Sequence, residues 1–172
     1  MLKIKNLFIV IIVCLTYYSG HSQTSSYIPG KSQLLLMYEA NIAFIGEVVY
    51  VAPSPKSLDT GLTTSYQRII FKVKEVIKGK VKDKYINVGF EVITNNGDLD
   101  KIIDSGDSFI VFLPNTVETD YCRYVEGIDD LEIPVNSKEL LKRRCYETTT
   151  KALIKASEQE IKAVKYFIKR KK

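Results

Sequence analysis

The residue types that most often carry enzyme chemistry are scarce in this sequence of 172 residues. The sole histidine, His21, lies close to the N-terminus, so the rest of the chain cannot assemble a Ser-His-Asp triad or a Cys-His pair. The chain also lacks a phosphate-binding glycine loop and a Cys-x-x-Cys motif. We therefore predict that the protein is not an enzyme and has no catalytic residue, no cofactor and no metal site.

Carboxylates are the remaining candidates for chemistry, and they cluster twice along the chain. The two clusters are Asp98, Asp100, Asp104 and Asp107, and then Glu126, Asp129, Asp130 and Glu132. Paired carboxylates can hydrolyse glycosidic bonds, and clustered carboxylates can bind Ca²⁺. Neither cluster has the spacing of a calcium-binding loop. We interpret both as solvated loop charge, and a carboxylate-based hydrolase is kept as a distant alternative.

Three cysteines are present, one in the apolar N-terminal segment and two in the C-terminal third. In an exported protein the latter two, Cys122 and Cys145, favour a single disulfide. Closing that loop would stabilise the fold by about 3 kcal/mol on the chain-entropy model. Two buried thiols without a bond are the alternative, whereas a zinc site would need more ligands than two thiols supply.

Cations accumulate at the C-terminal end of the chain. The run consists of Lys165, Lys169, Arg170, Lys171 and Lys172. It could contact an anionic surface such as phospholipid or polysaccharide. A solvated helix end, with its cations placed favourably on the helix dipole, is the favoured interpretation. The anionic-surface contact is kept as a candidate site.

The N-terminus has the order of regions expected of a secretory signal peptide. Lys3 and Lys5 precede an almost unbroken apolar run at residues 7–15, and Gly20 and Ser22 supply the small residues before a cut. We predict a signal peptide at residues 1–22. Cleavage lowers the formal charge from +5 to +3, because two lysines and no acidic residue are removed.

Export implies that the mature protein starts at Gln23 and is secreted or periplasmic. Lipidation at Cys14 is the disfavoured alternative, because Val13 is bulky where a small residue is expected. No second apolar run is long enough to cross a bilayer. We expect the partner to be another extracytoplasmic protein or a cell-surface component and not nucleic acid, and the oligomeric state is left open.

Hydrophobic periodicity predicts a chain that is mainly β with flanking helices. Strands are predicted at residues 42–51, 66–77, 84–94, 108–113 and 121–125, with a short helix capped by Ser32 before them and an amphipathic helix from Thr148 after them. Five strands in a chain of this size favour a small barrel or sandwich. Four aromatic residues on or beside these strands, Tyr50, Tyr66, Tyr85 and Phe90, could form a binding platform for sugars or nucleic acid, although core packing explains such residues equally well.

Three segments, at residues 41–49, 71–79 and 106–112, together resemble the netrin-like domain family. That family has the OB-type barrel shared by the tissue inhibitors of metalloproteinases and bacterial relatives. The resemblance covers residues 41–113 and implies a five-stranded OB-like barrel with a C-terminal helix at residues 41–172, after a leader with a short helix at residues 23–40. In such a barrel Gly46 permits a bulge or bend, and Gly79 and Gly106 occupy turns that need a positive φ.

The chain departs from the inhibitors of that family in one decisive respect. They bind the protease zinc through a cysteine at the mature N-terminus, whereas the predicted start here is Gln23 and the next cysteine is Cys122. The resemblance therefore does not imply metalloprotease inhibition by that mechanism. We predict a secreted netrin-like binding module without catalytic activity. The alternative is an enzyme inhibitor that acts through the barrel surface.

Overall fold

The fold is that of a computed structural model that describes residues 31–53, 64–93, 99, 102–114 and 127–170; for residues 31, 32, 64–66, 92 and 93 it describes the backbone only. In chain order the elements are α1 (Lys31–Glu39), β1 (Ile42–Val51), β2 (Thr64–Lys78), β3 (Tyr85–Ile93), β4 (Ser108–Leu113), α2 (Val135–Arg143), β5 (Tyr146–Thr149), β6 (Leu153–Lys155) and α3 (Glu158–Lys169). Short 3-10 turns lie at Ile128–Asp130 and Thr150–Ala152.

The strands form one six-stranded mixed sheet in the order β5-β3-β2-β1-β4-β6. Four of the pairs are antiparallel and β3 pairs with β5 in parallel. The β1–β2 pair has three register shifts, and such irregularities increase the local twist of a sheet. The sheet curls into a half-barrel, so that the edge strand β5 reaches β4: the Thr148 hydroxyl donates to the Phe112 carbonyl at 3.2 Å.

The concave face of the sheet encloses the main hydrophobic core, which we call the inner core. Its buried members are Ile42, Phe44, Val48, Ile69, Phe71, Ile86, Val88, Phe90, Leu99, Ile103, Phe109, Val111, Leu113 and Tyr146. Phe71 lies at its centre, with its ring edge-to-face against Phe44 and Phe90 at centroid distances of 6.0 and 6.2 Å. Edge-to-face packing of aromatic rings adds to the stabilisation that burial alone provides.

The convex face is covered by helices in two places. Helices α1 and α3 cover the first outer cluster, in which Met37 and Val164 pack on Ile45 and Ile110 of the sheet. Helix α2 and the turn Ile128–Asp130 cover the second outer cluster, which is centred on Ile70. Strands that are buried on both faces are apolar almost throughout, and this explains the sequence of β4.

Several sequence predictions are confirmed between residues 42 and 113. β1 and β4 have the predicted bounds, and β2 and β3 differ from theirs by one or two residues at either end. A register shift occurs at Gly46, as predicted. Gly79 has a φ of +76°, and a Cβ there would lie 2.4 Å from the Asn41 carbonyl oxygen, so the turn requires glycine. Gly106 also has a positive φ.

One prediction about side-chain direction in β1 is wrong. The alternation of the sequence places Tyr50 on the same face as Phe44 and Val48, but Tyr50 packs in the second outer cluster. The register shift between Val48 and Tyr50 inserts an extra residue, and this reverses the faces of the residues that follow. Val51 accordingly packs against the inner core.

The predicted helix from Thr148 is wrong as far as residue 157. β5, a 3-10 turn and β6 occupy residues 146–155, and α3 begins only at Glu158. Ser157 is the true N-cap: its hydroxyl accepts from the Glu160 amide at 3.2 Å, and the Glu160 carboxylate accepts from the Ser157 amide at 3.0 Å. This capping box satisfies two backbone donors that an uncapped helix would leave unpaired.

Two further differences concern the number of elements among the described residues, and a third concerns the cap of α1. The sheet has six strands, whereas five were predicted, and α2 was not predicted. Ser32 lies inside α1, which begins at Lys31, so Ser32 is not the cap. The predicted strand at residues 121–125 and the predicted signal peptide at residues 1–22 lie outside the described residues.

Candidate binding site

Two members of the C-terminal basic run, Lys165 and Arg170, contact side chains of their own domain. Lys165 Nζ lies 2.8 Å from each carboxylate oxygen of Glu75 on β2. The Arg170 guanidinium lies over the Tyr166 ring, 4.7 Å from its centroid. Lys169 is exposed, and Lys171 and Lys172 lie outside the described residues. Contact of this run with an anionic surface stays a prediction, and Lys165 would first have to leave Glu75.

Two ion pairs lie at the surface of the sheet. Lys74 Nζ lies 2.5 Å from Glu47 Oε2, and Lys155 Nζ lies 3.2 Å from Asp107 Oδ1. The hydrogen bond from Lys74 holds the pKa of Glu47 below its ordinary value. In both pairs the lysine is exposed and the carboxylate is half-buried, and ion pairs at the surface contribute little to stability. The lysines do help to keep Glu47 and Asp107 ionised. An ionised carboxylate has no proton to donate.

Asp107 has a second partner besides Lys155. The Asp104 amide donates to Asp107 Oδ2 at 3.3 Å. That backbone hydrogen bond is the main cause of the lowered pKa of Asp107, and the hydrogen bond from Lys155 is the next. The other members of this acidic cluster, Asp98 and Asp100, lie outside the described residues.

We expect an NMR titration to place the carboxyl pKa of Asp107 below its ordinary value of 3.8. Because the pKa is depressed on folding, the stability that this group contributes is present above the unfolded pKa and is lost as the pH falls through the folded pKa. Lys155→Gln should raise the pKa only in part, since the Asp104 amide remains. Lys162→Gln on the exposed side of α3 is the control. A pKa at or above 3.8 in the wild type would contradict the assignment.

One member of the second acidic cluster, Asp129, has a structural role, whereas Asp130 and Glu132 are exposed and Glu126 lies outside the described residues. Asp129 Oδ1 lies 2.8 Å from Lys142 Nζ, and the Asp129 carbonyl accepts a hydrogen bond from Lys138. These contacts join the turn Ile128–Asp130 to α2. Within the described ranges no group of three or more potential metal ligands is found.

Cys145 is buried, with 1% of its surface exposed, next to a buried arginine. Arg68 Nη1 donates to Cys145 Sγ at 3.0 Å. Room for the guanidinium exists because residue 89 is glycine: a Cβ there would lie 2.0 Å from Arg68 Nη1. Cys122 lies outside the described residues, so the disulfide between Cys122 and Cys145 stays a prediction.

A small pocket lies between β3 and the C-terminal end of α2, and we call it the α2 pocket. Its lining residues are Asp83, Tyr85, Ile86, Asn87, Leu140, Leu141, Arg144 and Tyr146. The volume available to a water-sized group is about 20 Å³. A cavity of this size accepts one water molecule or one polar group of similar size.

Asn87 is the unusual residue of the α2 pocket. It is 2% exposed, and its Nδ2 donates to the Leu141 carbonyl of α2 at 3.1 Å. Its Oδ1 is buried and has no hydrogen-bond partner, alone among the buried side-chain oxygens and nitrogens of the described residues. If the side-chain amide were turned over, Asn87 Oδ1 would lie against the Leu141 carbonyl oxygen, and both atoms are acceptors. Oδ1 is therefore the atom without a partner. An unsatisfied buried acceptor destabilises a protein by about 1–3 kcal/mol.

The structure places the described aromatic residues of the predicted platform on two different faces of the sheet. Phe90 is fully buried in the inner core, so its assignment to a platform is wrong. Tyr50 and Tyr85 are half-buried on the convex face in the second outer cluster. Tyr85 also lines the α2 pocket, with Lys84 Nζ 5.9 Å from its ring centroid. The side chain of Tyr66 lies outside the described part.

Comparison with known proteins does not assign the chain to a family. Among the residues that the structure describes, no helix has the length and apolar character needed to span a membrane. The chain matches no model of a known protein family. A comparison with curated proteins found no significant match.

Proposed function

We propose that this protein is an exported binding module without catalytic activity, built on an OB-type barrel of the netrin-like kind. One observation supports the binding role: Asn87 lines a pocket at the surface, and its buried Oδ1 has no hydrogen-bond partner. Buried polar groups in proteins are hydrogen-bonded as a rule, and an exception calls for an explanation such as a ligand or a water molecule.

The strand connections support the OB-type barrel. Strands β1, β2 and β3 form an antiparallel meander, β4 returns to pair with β1, and β5 lies parallel to β3. The hydrogen bond from Thr148 to Phe112 brings β5 against β4, which is the contact that would close a five-stranded barrel. In this proposal β6 is an additional strand at the β4 edge. The three segments that resemble the netrin-like family fall on β1, on the end of β2 with its turn, and on β4 with its preceding turn.

The state of two carboxylates, Asp107 and Glu47, argues against either one as a general acid. Asp107 and Glu47 have lowered pKa values and face lysines on the surface. Hydrolysis by a carboxylate pair requires one carboxyl with a raised pKa as the general acid. Neither carboxylate meets that requirement.

The experiment first tests whether the protein is exported and then tests what the exported protein binds. The gene is expressed in its native host, and the secreted or periplasmic protein is sequenced from its N-terminus, with Gln23 expected as the first residue. Immobilised mature protein is then incubated with an extracytoplasmic extract, and the free protein in solution should displace what is retained. Retained material, without hydrolysis of glycoside substrates and without inhibition of zinc proteases, is the expected result.

Two outcomes would contradict the proposal. An intact Met1 on the purified protein would exclude export by a cleaved signal. Substrate turnover that is lost in Asp107→Asn but kept in Lys162→Gln would make the protein an enzyme. Inhibition of zinc proteases would favour the alternative, an inhibitor that acts through the barrel surface.

A further inference from the structure

The sides of α1 and α3 that point away from the sheet form one exposed surface, which we call the α1–α3 face. Both helices cover the first outer cluster, and they contact each other. Met37 of α1 and Val164 of α3 are buried in that cluster. A residue two positions away on a helix points to nearly the opposite side, so Leu35 and Tyr166 lie on the outward sides. Tyr38 follows Leu35 at the i,i+3 spacing and shares its side of α1.

These three side chains make the α1–α3 face unusually apolar for a surface. Leu35 is 54% exposed, Tyr38 is 42% exposed and Tyr166 is 52% exposed. Among the described residues, seven large apolar side chains are exposed, and three of the seven lie on this one pair of helices. Single exposed apolar residues are ordinary, whereas a group of them on one surface indicates contact with a partner.

Cations lie at the end of the same face. Lys169 and Arg170 are exposed at the C-terminal end of α3, and the Arg170 guanidinium lies over the Tyr166 ring. The sequence continues with Lys171 and Lys172. Exposed carboxylates of the two helices are Glu39 at the end of α1 and Glu158 in the first turn of α3. The C-terminal end of the face therefore combines apolar, aromatic and cationic groups.

We infer that the α1–α3 face binds the surface of a membrane that contains anionic phospholipid. The inference rests on the proposed exported binding function and names the partner. Tyrosine side chains favour the boundary between headgroups and acyl chains, and a leucine beside them can enter the apolar layer. Lysine and arginine near that boundary are attracted to anionic headgroups. Lys165 is not needed for this contact and stays paired with Glu75.

Two other occupants fit the α1–α3 face less well. A soluble polyanion would pair with Lys169 and Arg170 but would leave Leu35 and the two tyrosines in water. A second copy of the chain would use the same patch on both copies, so that Lys169 and Arg170 of each copy enter one interface and repel. An anionic membrane surface matches both the apolar groups and the cations.

The first measurement is co-sedimentation of the mature protein with lipid vesicles at about 0.1 M salt, where exposed charges more than about 10 Å apart are largely screened. The vesicles consist of phosphatidylcholine alone, or of phosphatidylcholine and phosphatidylglycerol in equal amounts. We expect binding to the mixed vesicles at least about tenfold stronger than to phosphatidylcholine alone. Added alginate, a soluble polyanion, should not be retained by the protein with comparable strength.

A fluorescent reporter then locates the contact, because the chain has no tryptophan. Tyr166→Trp places the only indole on the α1–α3 face, and its emission should move to shorter wavelength when mixed vesicles are added. Val135→Trp is the matched control: residue 135 is 74% exposed on α2, which covers the second outer cluster instead. Its emission should not change.

Charge and apolar contributions are separated by two sets of variants at exposed positions. Lys169→Glu with Arg170→Glu should weaken binding to mixed vesicles at least about tenfold. Lys84→Glu with Arg143→Glu changes the net charge equally but lies beside the second outer cluster, and should weaken binding less than about twofold.

Leu35→Gln tests the apolar contribution. It removes an apolar side chain that the membrane would cover and should weaken binding about fivefold. Val135→Gln makes the same kind of change on α2 and should leave binding unchanged. Both positions are more than half exposed, so neither variant removes a side chain from a core.

Three outcomes would overturn the inference. The protein binds neither kind of vesicle, or binds both equally. Tyr166→Trp shows no spectral change on mixed vesicles that do retain the protein, so that another surface makes the contact. Alginate binds as strongly as the vesicles and Leu35→Gln has no effect, which makes the face a site for soluble polyanions. If capture from the extracytoplasmic extract still succeeds in any of these cases, the proposed binding function stands and only its membrane partner fails.

Discussion

Replacing Phe71 with alanine is expected to lower the free energy of unfolding by about 3–5 kcal/mol, which is the usual range for a buried phenylalanine. The side chain has no exposed surface, and its ring contacts those of Phe44 and Phe90 edge-to-face. Its removal leaves a cavity that three strands line, and strands held in one curled sheet cannot close it. Urea unfolding of the mature protein, followed by far-UV circular dichroism, measures the loss.

The matched control lies on the same strand. Val76 is 38% exposed, so Val76→Ala removes little buried surface and should change stability by less than about 1 kcal/mol. Both variants should unfold with the wild-type dependence on urea, because neither changes the surface that unfolding exposes by much. A loss for Phe71→Ala no larger than that for Val76→Ala would show that the centre of the core lies elsewhere.

The first four strands were predictable because the pattern of apolar residues in each sequence segment agrees with the burial of the strand in the folded sheet. In β3 the alternation of Ile86, Val88 and Phe90 with Tyr85 and Asn87 is the alternation between the inner core and the convex face. In β1 the same rule fails after Val48, where the register shift changes the side-chain direction. Alternation reports the faces of a strand only as long as its ladder is regular.

The C-terminal third was harder to predict because distant contacts determine it. β5 has four residues and β6 has three, too few for alternation to be recognised. β5 is a strand because it pairs with β3, far away in sequence. The apolar residues Leu153 and Ile154 fit the spacing of the helical stripe that continues in α3, so the sequence pattern extends the helix too far. The N-cap Ser157 was the signal that marks the true start.

The candidate site was predictable only in part. Tyr85 was identified as a possible sugar contact, and it does line the α2 pocket. Asn87 was missed because alternation places it on an outward face, where a polar residue is unremarkable. Its burial comes from α2, which covers that face. Pro134 and the basic residues Lys142 and Arg143 are the signals that could have revealed this helix.

The second large effect is expected at the cysteines. A bond between Cys122 and Cys145 would stabilise the fold by about 3 kcal/mol, by restricting the unfolded chain. Cys145→Ser is a suitable probe because serine keeps an acceptor for Arg68, so the variant removes the covalent link while the hydrogen bond from Nη1 can persist. Urea unfolding of Cys122→Ser, Cys145→Ser and the double variant measures the losses, each expected at about 3 kcal/mol.

The pattern of these losses distinguishes a bond from two buried thiols. If one covalent link is responsible, either substitution removes all of it, and the double variant loses no more than a single one. Thiol counting on denatured, unreduced mature protein should then find none, since cleavage at the predicted site also removes Cys14. Two titratable thiols, with losses that add in the double variant, would instead mean that each sulfur stabilises the fold by packing. In that case Cys145 serves as a buried acceptor for Arg68, and the covalent link is absent.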